Sequence, residues 1–279
     1  MNNIIDSHQH FWDTARGDYG WLSPELGVLY DDFAPDNLAP ILAEAGIEKT
    51  VLVQAAPTLD ETHYLLSLAD QYRFIAGVVG WVDMASPTAA SDIATLAKHP
   101  KLKGIRPMIQ DIPDPDWMIQ PAVAPAYEAL LKSGLRFDAL VHTKHLENLL
   151  TVMHRYPELP VVIDHAAKPD IASGQTSEWA ERIAAIAENT NAFCKLSGLV
   201  TEAGESVGSS DIQPYFQHIF GCFGARRLMW GSDWPVAKLR MEYADWLSMT
   251  QELLIAVPGE DRDQILAGTA ARFYGLGQA

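Results

Sequence analysis

The sequence predicts an α/β fold, a (β/α)8 TIM-type barrel built from residues 1–279 as one domain. Short runs rich in Val and Ile recur about eight times along the chain. Amphipathic segments with helical spacing separate them. Each run is nearly continuous in apolar residues and turns polar only at its C-terminal end. Strands of a parallel sheet covered on both faces have this pattern.

The first strand lies in IIDSHQHF (4–11), and a long connection, 12–36, follows it. NLAPILAEAGI (37–47) has apolar residues at helical spacing and ends on Gly46, a suitable C-cap. TVLVQAA (50–56) is the second strand, and ETHYLLSLADQY (61–72) opens with the acid that a helix N-terminus favours. FIAGVVGWV (74–82) and SDIATLAKH (91–99) form the third pair. LKGIRPM (102–108) is the fourth strand, followed by a second long connection, 107–123, and a helix at 126–134. LRFDALVH (135–142) and PVVIDHAA (160–167) precede helices at 144–156 and 177–190. AFCKLSGL (192–199) and LMWGSDWPV (228–236) precede helices at 214–223 and 243–256. Both long connections carry aromatic residues and proline, and at the catalytic mouth of a barrel such loops form lids or substrate walls.

The composition excludes several classes of partner. The net charge is −16, which argues against nucleic acid and anionic membranes, because both require a positive face. The N-terminal MNNIIDSHQHFW lacks the basic and apolar regions of a signal peptide, and no apolar run reaches the ~18 residues of a membrane span. Cys194 and Cys222 both sit in apolar stretches and read as buried thiols. A soluble cytoplasmic protein, monomeric or homodimeric, is expected.

Polar, titratable residues collect where the strands end. His8 and His10 are two apart on the first strand, so both imidazoles face the same side. Arg106 ends the fourth strand, His142 the fifth, His165 the sixth and Asp233 the eighth. Any one of these fits a structural role, such as a satisfied core histidine or a turn-forming aspartate. Together they occupy the one face of a barrel that carries catalysis. Trp12, Gln54, Trp81, His142, Lys168 and Trp234 fall on the same face and are candidates for substrate contact, the indoles by stacking on a ring. His145 reads as a structural cap. Lys195 ends the seventh strand, either reaching the site or forming an ion pair inside the barrel.

The ordered motifs DSHQHFW, VLVQA, GVVGWVDM, GIRP, VIDHAAKP, CKLSGL and LMWGSDWPV resemble those of the amidohydrolase superfamily. More narrowly, they are similar to its amidohydrolase-2 branch of sugar-lactone and pyrone-dicarboxylate lactone hydrolases. The resemblance runs from residue 4 to 276. It implies a hydrolase that opens the ester ring of a small lactone, most naturally a sugar-acid lactone. In the superfamily the positions matching His8, His10, His142, His165 and Asp233 surround one or two divalent metals. The strand-four position that bridges two metals there is Arg106 here, a poor ligand and a good clamp for a carboxylate or oxyanion. The expected site is therefore metal-free or mononuclear, with zinc the natural ion.

The expected chemistry has Asp233 as general base toward water, with His165, Arg106, His10 and His8 stabilising the tetrahedral oxyanion. Two other readings stay open at this point. One is a metal-dependent decarboxylase on the same scaffold. The other is a non-enzymatic barrel that binds a small acid or sugar.

Overall fold

A computed structural model describes residues 4–277. Eight parallel strands stand side by side in chain order, with helices between them. The strands are β1 (Ile4–Gln9), β2 (Ile47–Val53), β3 (Ile75–Gly80), β4 (Leu102–Ile105), β5 (Arg136–Ala139), β6 (Val161–Ile163), β7 (Phe193–Leu196) and β8 (Leu228–Trp230). The helices are α1 (Pro35–Ala45), α2 (Leu59–Gln71), α3 (Ala89–Leu96), α4 (Ala124–Ser133), α5 (Leu146–Arg155), α6 (Ser177–Asn189), α7 (Ser209–Phe223), α8 (Tyr243–Leu253), α9 (Gly259–Asp263) and α10 (Thr269–Tyr274). No described helix is long and apolar enough to cross a membrane.

The two sheet edges meet beyond the regular strands. Gln9 bridges Trp234 in parallel, the His10 amide donates to the Trp234 carbonyl at 2.7 Å, and the Asp233 amide donates to the His8 carbonyl at 2.8 Å. The buried Asp6 carboxylate reinforces the seam, accepting from the Ser232 amide at 2.8 Å and the Tyr243 hydroxyl at 3.0 Å. Closure therefore holds the ends of β1 and β8 together, and these ends carry His8, His10 and Asp233.

The expected helices start and stop within a few residues of the observed ones, except α7, which begins earlier at Ser209. The strands are shorter than their apolar runs suggest: β5 ends at Ala139 and β8 at Trp230. The extra apolar residues line the loops at the barrel mouth. The connection 12–36 contains the short helical turns Thr14–Arg16 and Pro24–Leu29, and 107–123 contains three more. A cluster that includes Ile5, Val51, Val79 and Met229 packs against Phe273 and Tyr274 of α10, an element the sequence reading did not name.

Candidate active site

Each candidate side chain is held by a specific local device. His8 and His10 leave β1 with both rings buried, and their Nε2 atoms lie 3.1 Å apart. Gly231 lies against His8, because a Cβ there would come within 2.7 Å of the His8 Cβ. The His10 Nδ1 is 2.8 Å from the Val53 carbonyl, which can only accept, so this nitrogen carries a proton and Nε2 faces the cavity. His165 opens a left-handed turn. Residues His165, Ala166, Ala167 and Lys168 have φ values of 52°, 49°, 62° and 51°. Left-handed backbone costs roughly 1–2 kcal/mol per non-glycine residue, and here it places the His165 ring at the cavity. The Trp179 indole donates to the Ala166 carbonyl at 2.7 Å and pins the turn. Gly198 makes room for it, since a Cβ there would meet His165 Nδ1 at 2.4 Å. Asp233 also has positive φ, 56°.

These residues converge on one carboxylate oxygen. Asp233 Oδ1 lies 3.3 Å from His10 Nε2, 3.7 Å from His8 Nε2 and 3.9 Å from His165 Nε2. Burial pushes the Asp233 carboxyl up, but His165, the His10 contact and His8 more than offset it and hold it below the ordinary carboxylate range. Asp233 is therefore ionised at neutral pH and acts as an acceptor. Burial pushes His165 down to about 4, so its ring is neutral. Its Nδ1 sits 2.9 Å from the Ser197 hydroxyl.

A buried ionic network lies behind His8. The Lys195 ammonium donates to Asp138 Oδ2 at 2.7 Å and to His8 Nδ1 at 3.1 Å, and pairs with Asp164 Oδ1 at 2.8 Å. An ammonium can only donate, so His8 Nδ1 accepts and the neutral ring carries its proton on Nε2. Burial, and then the nearby Lys195 charge, hold His8 well below its usual range, which keeps it neutral. Arg106 pairs with Asp164 Oδ2 at 3.2 Å, lies 3.4 Å from His8 Nε2 and donates to the Gln54 carbonyl. The Tyr274 hydroxyl donates to Asp138.

The cavity above this group has a volume of about 180 Å³. His10, Arg106, His165 and Asp233 line it together with Trp12 and Lys168. Lys168 is also paired with Glu202, 3.6 Å away. The remaining candidates lie elsewhere. Gln54 is fully buried and its amide donates to the Arg106 carbonyl at 2.7 Å, so it supports Arg106 instead of lining the cavity. Trp234 is buried against Phe11 and Phe33. Trp81 lines a neighbouring chamber. His142 does not join the His8, His165 and Asp233 group, and it follows the end of β5 at Ala139 by three residues. Its backbone amide instead donates to His145 Nδ1 at 3.1 Å, which makes His145 the structural cap expected from sequence.

His8, His165 and Asp233 offer ligand atoms within 4.8 Å of one another. Two imidazoles and a carboxylate are zinc-type donors, and ligands of one tetrahedral ion lie roughly 3.4 Å apart, so spacing and donor type fit a single ion. The fit is weakest at His8, whose cavity-side nitrogen carries the proton that Lys195 forces onto it.

Residues 5–276 match the family profile described as Amidohydrolase. The chain belongs to the amidohydrolase family. Within it, the chain is 46% identical over 278 residues to an L-fucono-1,5-lactonase of Burkholderia ambifaria, covering 98% of this chain and 96% of that one. It is 35% identical to an L-fucono-1,5-lactonase of Burkholderia multivorans, covering 98% and 96%. A crystal structure of an amidohydrolase from Burkholderia multivorans with bound zinc superposes with a TM-score of 0.92 at 34% identity, covering 98% of this chain and 99% of that chain.

Asp138 and Asp164 escaped the sequence reading. Each is a charged residue in or directly after a short apolar strand, and Lys195 is their counterpart on β7. Opposite charges on otherwise apolar inner strands were the available signal.

Proposed function

We infer that this amidohydrolase opens L-fucono-1,5-lactone or a closely related aldono-1,5-lactone by attack of water, with Asp233 as the general base. The enzyme is a sugar-lactone ring-opening hydrolase. The observation that carries the residue assignment is the convergence of three imidazoles on Asp233 Oδ1 at the cavity, with the Arg106 guanidinium on the same wall.

Hydrolysis of a cyclic ester moves one proton twice. Asp233 takes a proton from water as the oxygen attacks the carbonyl carbon, and the carbonyl electrons move onto oxygen. Arg106 is always charged, and its N–H groups are suited to that oxyanion. Collapse of the tetrahedral species breaks the ring C–O bond, and Asp233 returns the proton to the leaving alkoxide. Neutral His165 holds water and carbonyl in place without competing for the proton, and the His10 Nε2 faces the same carboxylate oxygen. Were an ion bound by His8, His165 and Asp233, it would polarise the carbonyl and lower the pKa of water.

A pH-indicator assay across aldono-1,5- and 1,4-lactones tests this reading, with the uncatalysed rate subtracted. Acceleration of L-fucono-1,5-lactone opening is expected. Absence of acceleration for every lactone would overturn it.

A further inference from the structure

A second chamber of about 550 Å³ adjoins the catalytic cavity and shares Trp21, Met108 and Asp111 with it. Both long mouth connections build its walls, one supplying Asp18 and Trp21, the other Asp111 and Trp117, with Trp81 and Asp83 from the segment after β3. The catalytic cavity, at about 180 Å³, suits one sugar ring and leaves this chamber unused. Sites for larger ligands span roughly 300–1,000 Å³, a range the catalytic cavity alone does not reach and the two adjoining chambers together do.

The wall chemistry is specific. Trp21, Trp81 and Trp117 present indole surface of the kind that packs on the C–H face of a pyranose. The Trp21 indole is fixed by donating to the Ala55 carbonyl at 2.7 Å. Trp81 and Trp117 are both only partly buried at the chamber wall. Asp83 and Asp111 bring acceptors for sugar hydroxyls and repel an anionic substituent, while the Asp18 carboxylate is already paired with Arg16 at 2.8 Å. The geometry points to a second, neutral sugar subsite: the enzyme accepts 1,5-lactones of glycosylated aldonic acids, with the lactone ring over Asp233 and the attached pyranose among Trp21, Trp81 and Trp117. This rests on the lactonase reading of the first cavity.

The test compares kcat/KM for a panel of neutral aldobiono-1,5-lactones of different linkage with that of their parent monosaccharide lactones. At least one disaccharide lactone should exceed its parent by about tenfold, the equivalent of one good stacking contact. Trp117→Leu keeps an apolar side chain but removes the flat face. It should cancel that advantage while leaving the monosaccharide lactone unchanged. The wild-type ratios decide the matter even if the variant does not fold. If monosaccharide lactones are opened and no disaccharide lactone exceeds its parent, the second subsite is refuted and the lactonase reading stands. If no lactone of either kind is opened, the lactonase reading itself fails.

Discussion

Replacing Lys195 by methionine tests the buried network behind His8. Lys195 is fully buried, and its ammonium faces the Asp138 and Asp164 carboxylates at 2.7 and 2.8 Å. Methionine fills similar space but leaves two carboxylates, of which only Asp164 keeps another cation, Arg106 at 3.2 Å. Removing one partner of a buried pair costs about 3–5 kcal/mol. For a chain of this length that corresponds to a melting-temperature loss of roughly 6–10 °C. Urea unfolding at pH 7.5 measures the loss directly. The pH dependence provides a second check. Burial pushes Asp138 up, and Lys195 opposes it. Without the ammonium, the folded-state pKa rises further above the unfolded value of about 3.9, so stability is lost as pH rises through that window. The deficit of Lys195→Met should therefore shrink at pH 5 and grow at pH 8. Adding Asp138→Asn removes the unpaired charge, and the Tyr274 hydroxyl can still donate to the amide oxygen. The double variant should recover at least about half of the loss. Activity supplies the functional part: with no donor to Nδ1, His8 loses its fixed tautomer, and kcat should fall more than KM rises. A Lys195→Met protein within about 1 kcal/mol of wild type, or no recovery in the double variant, would refute the reasoning.

Four further outcomes are expected. Asp233→Asn should lower kcat by about 10³-fold or more in protein whose fold is confirmed by circular dichroism, and near-wild-type turnover would remove Asp233 as the base. Arg106→Ala should cost about 10²–10³ in kcat, with Arg106→Lys retaining part of the rate, and a pure KM effect would show that Arg106 binds the ground state only. His165 has a folded-state value of about 4 against 6.5 in the unfolded chain, so the unfolded state binds more protons between those values. Wild-type stability should therefore rise from pH 4 to 6.5 more steeply than that of His165→Gln, as urea midpoints will show; equal slopes would exclude His165 as the cause. Because Arg106 already supplies positive charge at the cavity, chelation should lower kcat/KM by less than about tenfold; loss to background, restored by zinc alone, would make the ion essential.

The barrel was legible because eight apolar runs alternate with helical spacing, a pattern that few architectures share. The placements of His8, His10, Arg106, His165 and Asp233 were legible for a related reason, since each sits where an apolar run ends. Other features were hidden. Asp138 and Lys195 lie 57 residues apart in the chain, and only barrel closure brings them to 2.7 Å. The left-handed turn at His165 contains no glycine, and the residue that permits it, Gly198, is on the next βα unit. His142 was misplaced because the apolar residues Leu140 and Val141 extend the run past the true end of β5 at Ala139. A run of apolar residues shows burial but does not show where strand pairing stops.

The charges at the site also favour the proposed assignment of the base to Asp233 over Asp138 and Asp164. Asp138 is paired with Lys195, and Asp164 with both Lys195 and Arg106. Protonating either would strand a buried cation. The neighbours of Asp233 are imidazoles, two of which, His8 and His165, are held neutral by burial. In the proposed mechanism, Asp233 takes the proton from water, so negative charge leaves its Oδ1 and appears on the lactone oxygen beside Arg106. The total charge of the cavity does not change; only its position shifts by a few ångströms, toward a fixed guanidinium. In a medium of low polarity, creating a new charge is costly, whereas moving one toward a cation already in place is not. On this proposal the paired carboxylates serve the step by holding Lys195 and Arg106 in place, with Arg106 the cation toward which the charge moves.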